Sequence, residues 1–231
     1  MKTLSNRRNF IQTSIIATTG PFTTGLVSAK PSATKNKMAG VDPSNETLET
    51  IHNLHTTHGS FRTKEIPDNE IELVKKACIR TVNSSNMQTY TIVEIRDKAL
   101  MKHVSGYVGS CTLLFCIDYN RLTASAESLG LTYFPGDMTA FFTGIINTSI
   151  AAQTAVIAAR SLGIDSLLTN GIHCGNNDRH WNLLNLPEKY CMPLIALILG
   201  YADQKPDHIV ARLDGKKSFI NRHIKSKISK N

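Results

Sequence analysis

Asn83-Ser84-Ser85-Asn86-Met87-Gln88-Thr89-Tyr90 is the stretch whose residue types could do chemistry. Its small hydrogen-bonding side chains carry no net charge, so they suit a neutral, flat, hydrogen-bonding ligand better than a metal or a phosphate. A turn-forming loop is the simpler account on composition alone. A second candidate is the three histidines His52, His55 and His58, which recur every third residue. Two His one turn apart can share a Zn²⁺, but no acidic or cysteine partner stands at a motif spacing. A third is Thr169-Asn170-Gly171-Ile172-His173, where Asn-Gly is a strong turn signal. The five cysteines (Cys78, Cys111, Cys116, Cys174, Cys191) form no CxxC pair. All but Cys174 sit in apolar runs and read as small core residues.

The elements that must position these residues follow from periodicity. Glu46 to His58 reads as a helix, and Asp68 is an expected N-cap for a helix through Thr81. Tyr90 to Ile95 reads as a strand, so the 83–90 loop joins a helix to a strand. Asp97 caps a short helix to about Val104, and the apolar run Cys111 to Ile117 reads as a buried strand. Asp137 caps the longest helix, Met138 to Leu162, which stops at Gly163. It holds no charge from Met138 to Ala159, long enough to raise a membrane-spanning reading. Asn147, Thr148, Ser149 and Gln153 argue instead for a core or subunit-interface helix. Ile164 to Leu168 and Met192 to Leu199 read as strands, with a helix from Asn176 to Leu186 between them. Repeats, GxGxxG, P-loop, HExxH and GxSxG motifs are all absent.

The net charge of +8 resides in the ends. Residues 1–40 hold six Lys/Arg and no acid, and residues 212–231 hold seven Lys/Arg against Asp214, leaving 13 bases and 17 acids between. A mildly acidic body argues against nucleic-acid binding. Residues 1–29 read as an export signal. Asn6-Arg7-Arg8-Asn9-Phe10-Ile11 is similar to the twin-arginine pattern, and Val27-Ser28-Ala29 to a cleavage site. Residues 30–45 read as a linker and 214–231 as a basic tail. An export signal there implies a periplasmic protein with no integral membrane segment after its removal; a disordered basic leader on a cytoplasmic protein is the alternative.

Over roughly residues 46–213 the chain resembles the FMN-dependent nitroreductase superfamily. Three blocks carry the likeness. His55-Thr56-Thr57-His58-Gly59-Ser60-Phe61 stands in the place of an Arg-Arg-Ser-x-Arg-x-Phe opening. Val82 to Tyr90 is similar to a Pro-Ser-x-x-Asn-x-Gln-Pro-Trp loop, with Asn86 and Gln88 matching. Ala158 to Ile164, Thr169-Asn170-Gly171 and Leu199-Gly200-Tyr201 are similar to the family's Ala-x-x-Leu-Gly-Leu helix end, flavin-facing loop and closing Gly-Tyr.

The resemblance implies an α+β fold, a central mixed or antiparallel sheet flanked by helices, and a homodimer with the long helix at its interface and two FMN sites. It implies that His55, Thr56, Thr57 and Gly59 line the phosphate and ring edge. It further implies that Asn83, Ser84, Ser85, Asn86 and Gln88 meet the ring's polar edge, that Asn170 and Gly171 face N5 with the Gly171 N–H as donor, and that Arg212 substitutes as phosphate partner, with Lys216 and Lys217 as weaker candidates. Thr and Gly stand where the family has basic residues at 56 and 59. That substitution lowers the charge near the flavin and implies a lower potential. The implied activity is ping-pong reduction of nitroaromatic, quinone or related acceptors. NAD(P)H is the usual donor; for an exported chain a periplasmic or membrane redox partner takes its place. A non-catalytic flavin binder and a Zn-binding surface protein are the alternatives.

Overall fold

The computed structural model describes residues 45–58, 60–174 and 178–204. The expected signal, most of the linker, Gly59, the start of the expected 176–186 helix, Arg212, Lys216, Lys217 and the basic tail lie outside the described residues. The elements run α1 (Glu46–His52), α2 (Asp68–Cys78), β1 (Tyr90–Ile95), α3 (Lys98–Ser105), β2 (Cys111–Asp118), α4 (Asn120–Ser128), α5 (Met138–Ser161), β3 (Asp165–Thr169), α6 (Asp178–Leu183) and β4 (Cys191–Gly200). Single 3-10 turns cover Ser84–Asn86 and Gly171–His173.

One four-stranded sheet, in the order β1-β2-β4-β3, holds these elements together, and every pairing is antiparallel. The expected mixed or antiparallel sheet is thus wholly antiparallel. β2 is buried along its whole length because both faces of the sheet are covered. Cys111, Leu113 and Phe115 pack with α2 and α5, in a cluster that includes Ile71, Val74, Ala151, Ala155, Leu197 and Leu199. Leu114 and Cys116 point the other way, into a cluster with Met101 and Val104 of α3, Ile172 and Ile198. This period-two alternation is what a strand dictates, and with a face covered on each side six of the eight positions are apolar, Thr112 and Asp118 being the buried polar exceptions.

α5 is long and apolar enough to cross a membrane by composition. Its inner face nevertheless belongs to the core. Ala151, Ala152, Ala155 and Ala159 are fully buried against the sheet, along with the polar Asn147 and Thr148. Small side chains let the helix lie close: a Cβ on Gly144 would stand 2.5 Å from Ile117 Cγ2. Asp137 caps α5 as expected, accepting from Ala140 N at 2.7 Å, and Asp97 caps α3 in the same way, accepting from Leu100 N at 2.6 Å. Gly163 follows α5 at φ 73°, a left-handed conformation suited to glycine.

Three expectations need correction. α1 ends at His52, with Asn53 as its C-cap, so the chain from Leu54 to His58 is not helical. The three-residue spacing of His52, His55 and His58 therefore has no helical face to lie on, and no group of metal-ligating side chains occurs among the described residues. Pro67, not Asp68, is the N-cap of α2, and that helix ends at Cys78 rather than Thr81. α4 has no counterpart among the sequence expectations, which left residues 118–136 unassigned.

Candidate functional site

The first block lies along the β3 edge of the sheet. Thr57 N donates to Ser166 O at 2.9 Å, Phe61 bridges Ala202, and Asp203 N donates to Ser60 O at 2.9 Å. Gly200 makes this possible, since a Cβ there would stand 2.6 Å from Phe61 Cδ1. His55 is turned to the protein: Nδ1 is 3.1 Å from Asn53 O, and Nε2 is 3.5 Å from Asp165 Oδ1. The same carboxylate meets Arg160 at 3.2 Å and accepts from Ala202 N at 2.9 Å. Thr56 and His58 are exposed, whereas the Thr57 hydroxyl is buried with no hydrogen-bond partner among the described residues. An unmatched buried hydroxyl costs about 1–3 kcal/mol, so an acceptor there, such as a phosphate oxygen, relieves a penalty already built into the chain.

The third block continues along β3. Thr169 ends the strand, and Gly171 N donates to Thr169 Oγ1 at 3.0 Å. The Gly171 N–H expected at N5 therefore has an internal acceptor, a rotatable hydroxyl that can yield it to a ligand. Asn170 is exposed. Ser166 and Thr169 are three residues apart, which sets the first and third blocks about 10 Å from each other.

The second block lies elsewhere. The chain from Asn83 to Gln88 enters β1, at the opposite edge of the sheet. Ser85, Asn86 and Gln88 adopt φ 50°, 54° and 48°, left-handed values that a free chain visits rarely. Internal hydrogen bonds hold the shape, with Gln88 N donating to Asn83 Oδ1 and Gln88 Nε2 to Asn86 Oδ1, both at 3.1 Å. Ser84, Ser85 and Asn86 stay exposed. Asn147 of α5 accepts from Ser84 N at 2.9 Å, while Arg160, thirteen residues further along α5, holds the Asp165 that His55 faces. At 1.5 Å per residue, the second block stands about 20 Å from the first within one chain. One chain therefore brings the first and third blocks together and keeps the second apart.

Residues that sequence reasoning missed hold the second block. Arg121 Nη2 donates to Gln88 O at 2.7 Å and to Tyr90 O at 2.8 Å. Thr89 and Asn147 are buried behind the loop. Asn147 could have been found as an amide in the middle of an uncharged helix; Arg121 left no local signal.

No family model matches the chain. An FMN reductase [NAD(P)H] of Bacillus subtilis is 26% identical over 192 residues, covering 77% of this chain and 76% of the relative. An oxygen-insensitive NADPH nitroreductase of Salmonella typhimurium is 29% identical over 161 residues, or 66% of this chain and 65% of the relative. The solved structure of the NfrA1 nitroreductase from B. subtilis superposes with a TM-score of 0.67 at 25% identity, covering 79% of this chain and 76% of that one. The fold is that of the nitroreductases. Within the nitroreductase fold, the first and third blocks share the β3 edge and the second sits at the β1 edge.

Proposed function

We propose that the protein is an FMN-dependent oxidoreductase of the nitroreductase type, working as a homodimer. The observation that carries the reading is the separation of the blocks by about 20 Å in one chain. Two copies related by a twofold axis put one chain's Ser84–Gln88 beside the other's Thr57 and Gly171. The outward stripe of α5 supports that pairing: Met138, Phe142 and Ile146 recur every fourth residue, and the latter two are each 54% exposed.

Bound FMN supplies the two-electron chemistry at N5, and the chain supplies placement and electrostatics. Thr57 Oγ1, and Thr56 beside it, donate to the phosphate, with Arg212 as the basic partner. Ser84, Ser85 and Asn86 of the other copy meet the polar edge of the ring. Gly171 N–H points at the reacting face once Thr169 Oγ1 turns away. No side chain acts as a nucleophile. Thr56 and Gly59 stand where basic residues are expected, which leaves negative charge on the reduced ring less stabilised.

The donor in the relatives' names is NAD(P)H. The twin-arginine-like leader favours export, and in that compartment a membrane-bound or periplasmic redox protein replaces it. Nitroaromatics and quinones are the acceptor class, since a flat conjugated compound can stack on an open flavin face. The test is direct: the purified full chain is titrated with FMN, and turnover is followed with NADPH and a nitroaromatic acceptor. A yellow protein that consumes NADPH supports the reading. A colourless chain that takes up no FMN sinks it, and a yellow chain that turns over with no donor leaves only a flavin binder.

A further inference from the structure

We propose that Asn147 is a positioning residue for the flavin: a two-ended amide brace that holds the left-handed 84–88 loop in its ligand-binding shape. The proposal rests on the flavin reading of that loop. Asn147 sits in the middle of an uncharged helix and is fully buried. Burying an amide is costly unless both its ends are bonded. Its Oδ1 accepts from Ser84 N at 2.9 Å, and its Nδ2 donates to Thr89 Oγ1 at 3.0 Å. The two partners are the residues on either side of the loop that carries Ser85, Asn86 and Gln88 at positive φ. One rigid side chain thus fixes both ends of a segment whose backbone is strained, and strain of this kind persists only when the surroundings over-determine it.

Other elements close the remaining freedom. Asp118 N donates to Thr89 O at 3.0 Å from the end of β2, and Arg121 of α4 holds Gln88 O. The brace is set on the helix that packs against all four strands, so the ring-edge donors inherit the rigidity of the core. Asn147 is fully buried and acts through the loop. A neighbouring polar residue on the same helix gives the contrast. Thr154 Oγ1 pairs with Thr81 Oγ1 at 3.0 Å and donates to Ile150 O at 2.9 Å, with no hydrogen bond to the 84–89 loop.

The experiment compares FMN dissociation constants, visible circular dichroism of the bound flavin and thermal unfolding. The proteins are the full chain and its Asn147→Ala, Thr89→Val, Thr89→Ser and Thr154→Ala variants. Asn147→Ala and Thr89→Val are expected to weaken FMN binding about tenfold or more and to change the flavin dichroism while remaining folded at the assay temperature. Thr89→Ser, which keeps the hydroxyl, and Thr154→Ala are expected to stay within about twofold of wild type. Wild-type affinity in Asn147→Ala and Thr89→Val overturns the proposal. So does equal weakening in Thr154→Ala, or loss of the fold in both brace variants, because each describes a residue that serves only the core. A wild-type chain that takes up no FMN defeats the flavin reading itself, an outcome distinct from a wild-type chain that binds while Asn147→Ala binds equally well.

Discussion

Arg160 Nη1 lies 3.2 Å from Asp165 Oδ1, across the glycine that ends α5. Asp165 also accepts from Ala202 N at 2.9 Å and faces His55 Nε2 at 3.5 Å. One carboxylate therefore ties the end of α5, the end of β4 and the first block together. Asp165→Ala is expected to cost about 1–3 kcal/mol, because it strands the Ala202 N–H and the guanidinium. Asp165→Asn keeps an acceptor for Ala202 and is expected to cost less. Urea unfolding measures both, and FMN titration is expected to show weaker uptake in the Ala variant.

The contact between Gly200 and Phe61 carries a second expectation. A Cβ on Gly200 would come within 2.6 Å of Phe61 Cδ1 and 2.9 Å of Cγ. The ring base, which cannot swing away freely, would have to move with its backbone. Gly200→Ala is expected to destabilise the chain by about 1–3 kcal/mol and to loosen residues 57–61. Hydrogen exchange at Arg62 N, which donates to Tyr201 O at 2.8 Å, reads the loosening locally. Unchanged protection there would refute the expectation.

The thiols give a third. Cys78, Cys111, Cys116 and Cys191 are buried, and Cys174 is exposed. Burial pushes the Cys78 and Cys111 thiols up to about 12. A native chain is therefore expected to react rapidly with one equivalent of a thiol reagent, at Cys174, and with the other four only after unfolding. The raised values also set a pH dependence. Stability from keeping these thiols neutral is full below about 8.5, where the unfolded thiols are still protonated, and is lost as pH rises toward the folded value. Thermal melts from pH 7 to 10 are expected to fall, less steeply in Cys78→Ala.

Acid acts through different groups. The Lys98 ammonium, 2.7 Å away, and the Ser110 hydroxyl hold the Glu65 carboxyl below its ordinary value. Burial pushes Glu94 up, but hydrogen bonds from Lys75 and Arg96, each 2.6 Å long, outweigh it and leave Glu94 lowered as well. A lowered carboxylate contributes stability that is complete above about 4.3 and vanishes as pH drops through the folded value. Melting temperatures are expected to decline below about pH 4.5, and Glu94→Gln to flatten that limb. An identical acid limb in the variant would remove Glu94 from the account.

Local signals made most of the fold legible. Asp97 and Asp137 cap their helices as the sequence implies, and Tyr90–Ile95 is the expected strand. β2 read as buried because a nearly continuous apolar run, broken only by Thr112, needs cover on both faces. α4 escaped notice since its residues Asn120–Ser128 bury no side chain fully and carry little pattern. Apolar periodicity misplaced the end of α1: tertiary contacts of Thr57 with Ser166 and of His55 with Asp165 pull the chain out straight after Asn53. The blocks themselves were legible as motifs, but their separation was not. That depends on strand order, and no single segment encodes which edge of the sheet a strand will occupy.

Strand order is also why the proposed FMN site calls on a second chain, and the outward face of α5 is where that proposal can be tested. Phe142 and Ile146 lie one turn apart, each half exposed, on a helix whose opposite face is already filled by the sheet. A charge at Ile146 meets solvent in the isolated chain and meets apolar surface in a dimer. Ile146→Glu is therefore expected to leave the circular dichroism and melting temperature of a dilute sample close to those of the separated wild-type chain, while shifting light scattering from dimer to monomer. Because Ser84–Gln88 and Thr57 of one chain stand about 20 Å apart, that monomer is expected to lose FMN as well. An Ile146→Glu monomer that keeps wild-type FMN affinity would show that one chain suffices, and would refute the two-chain site.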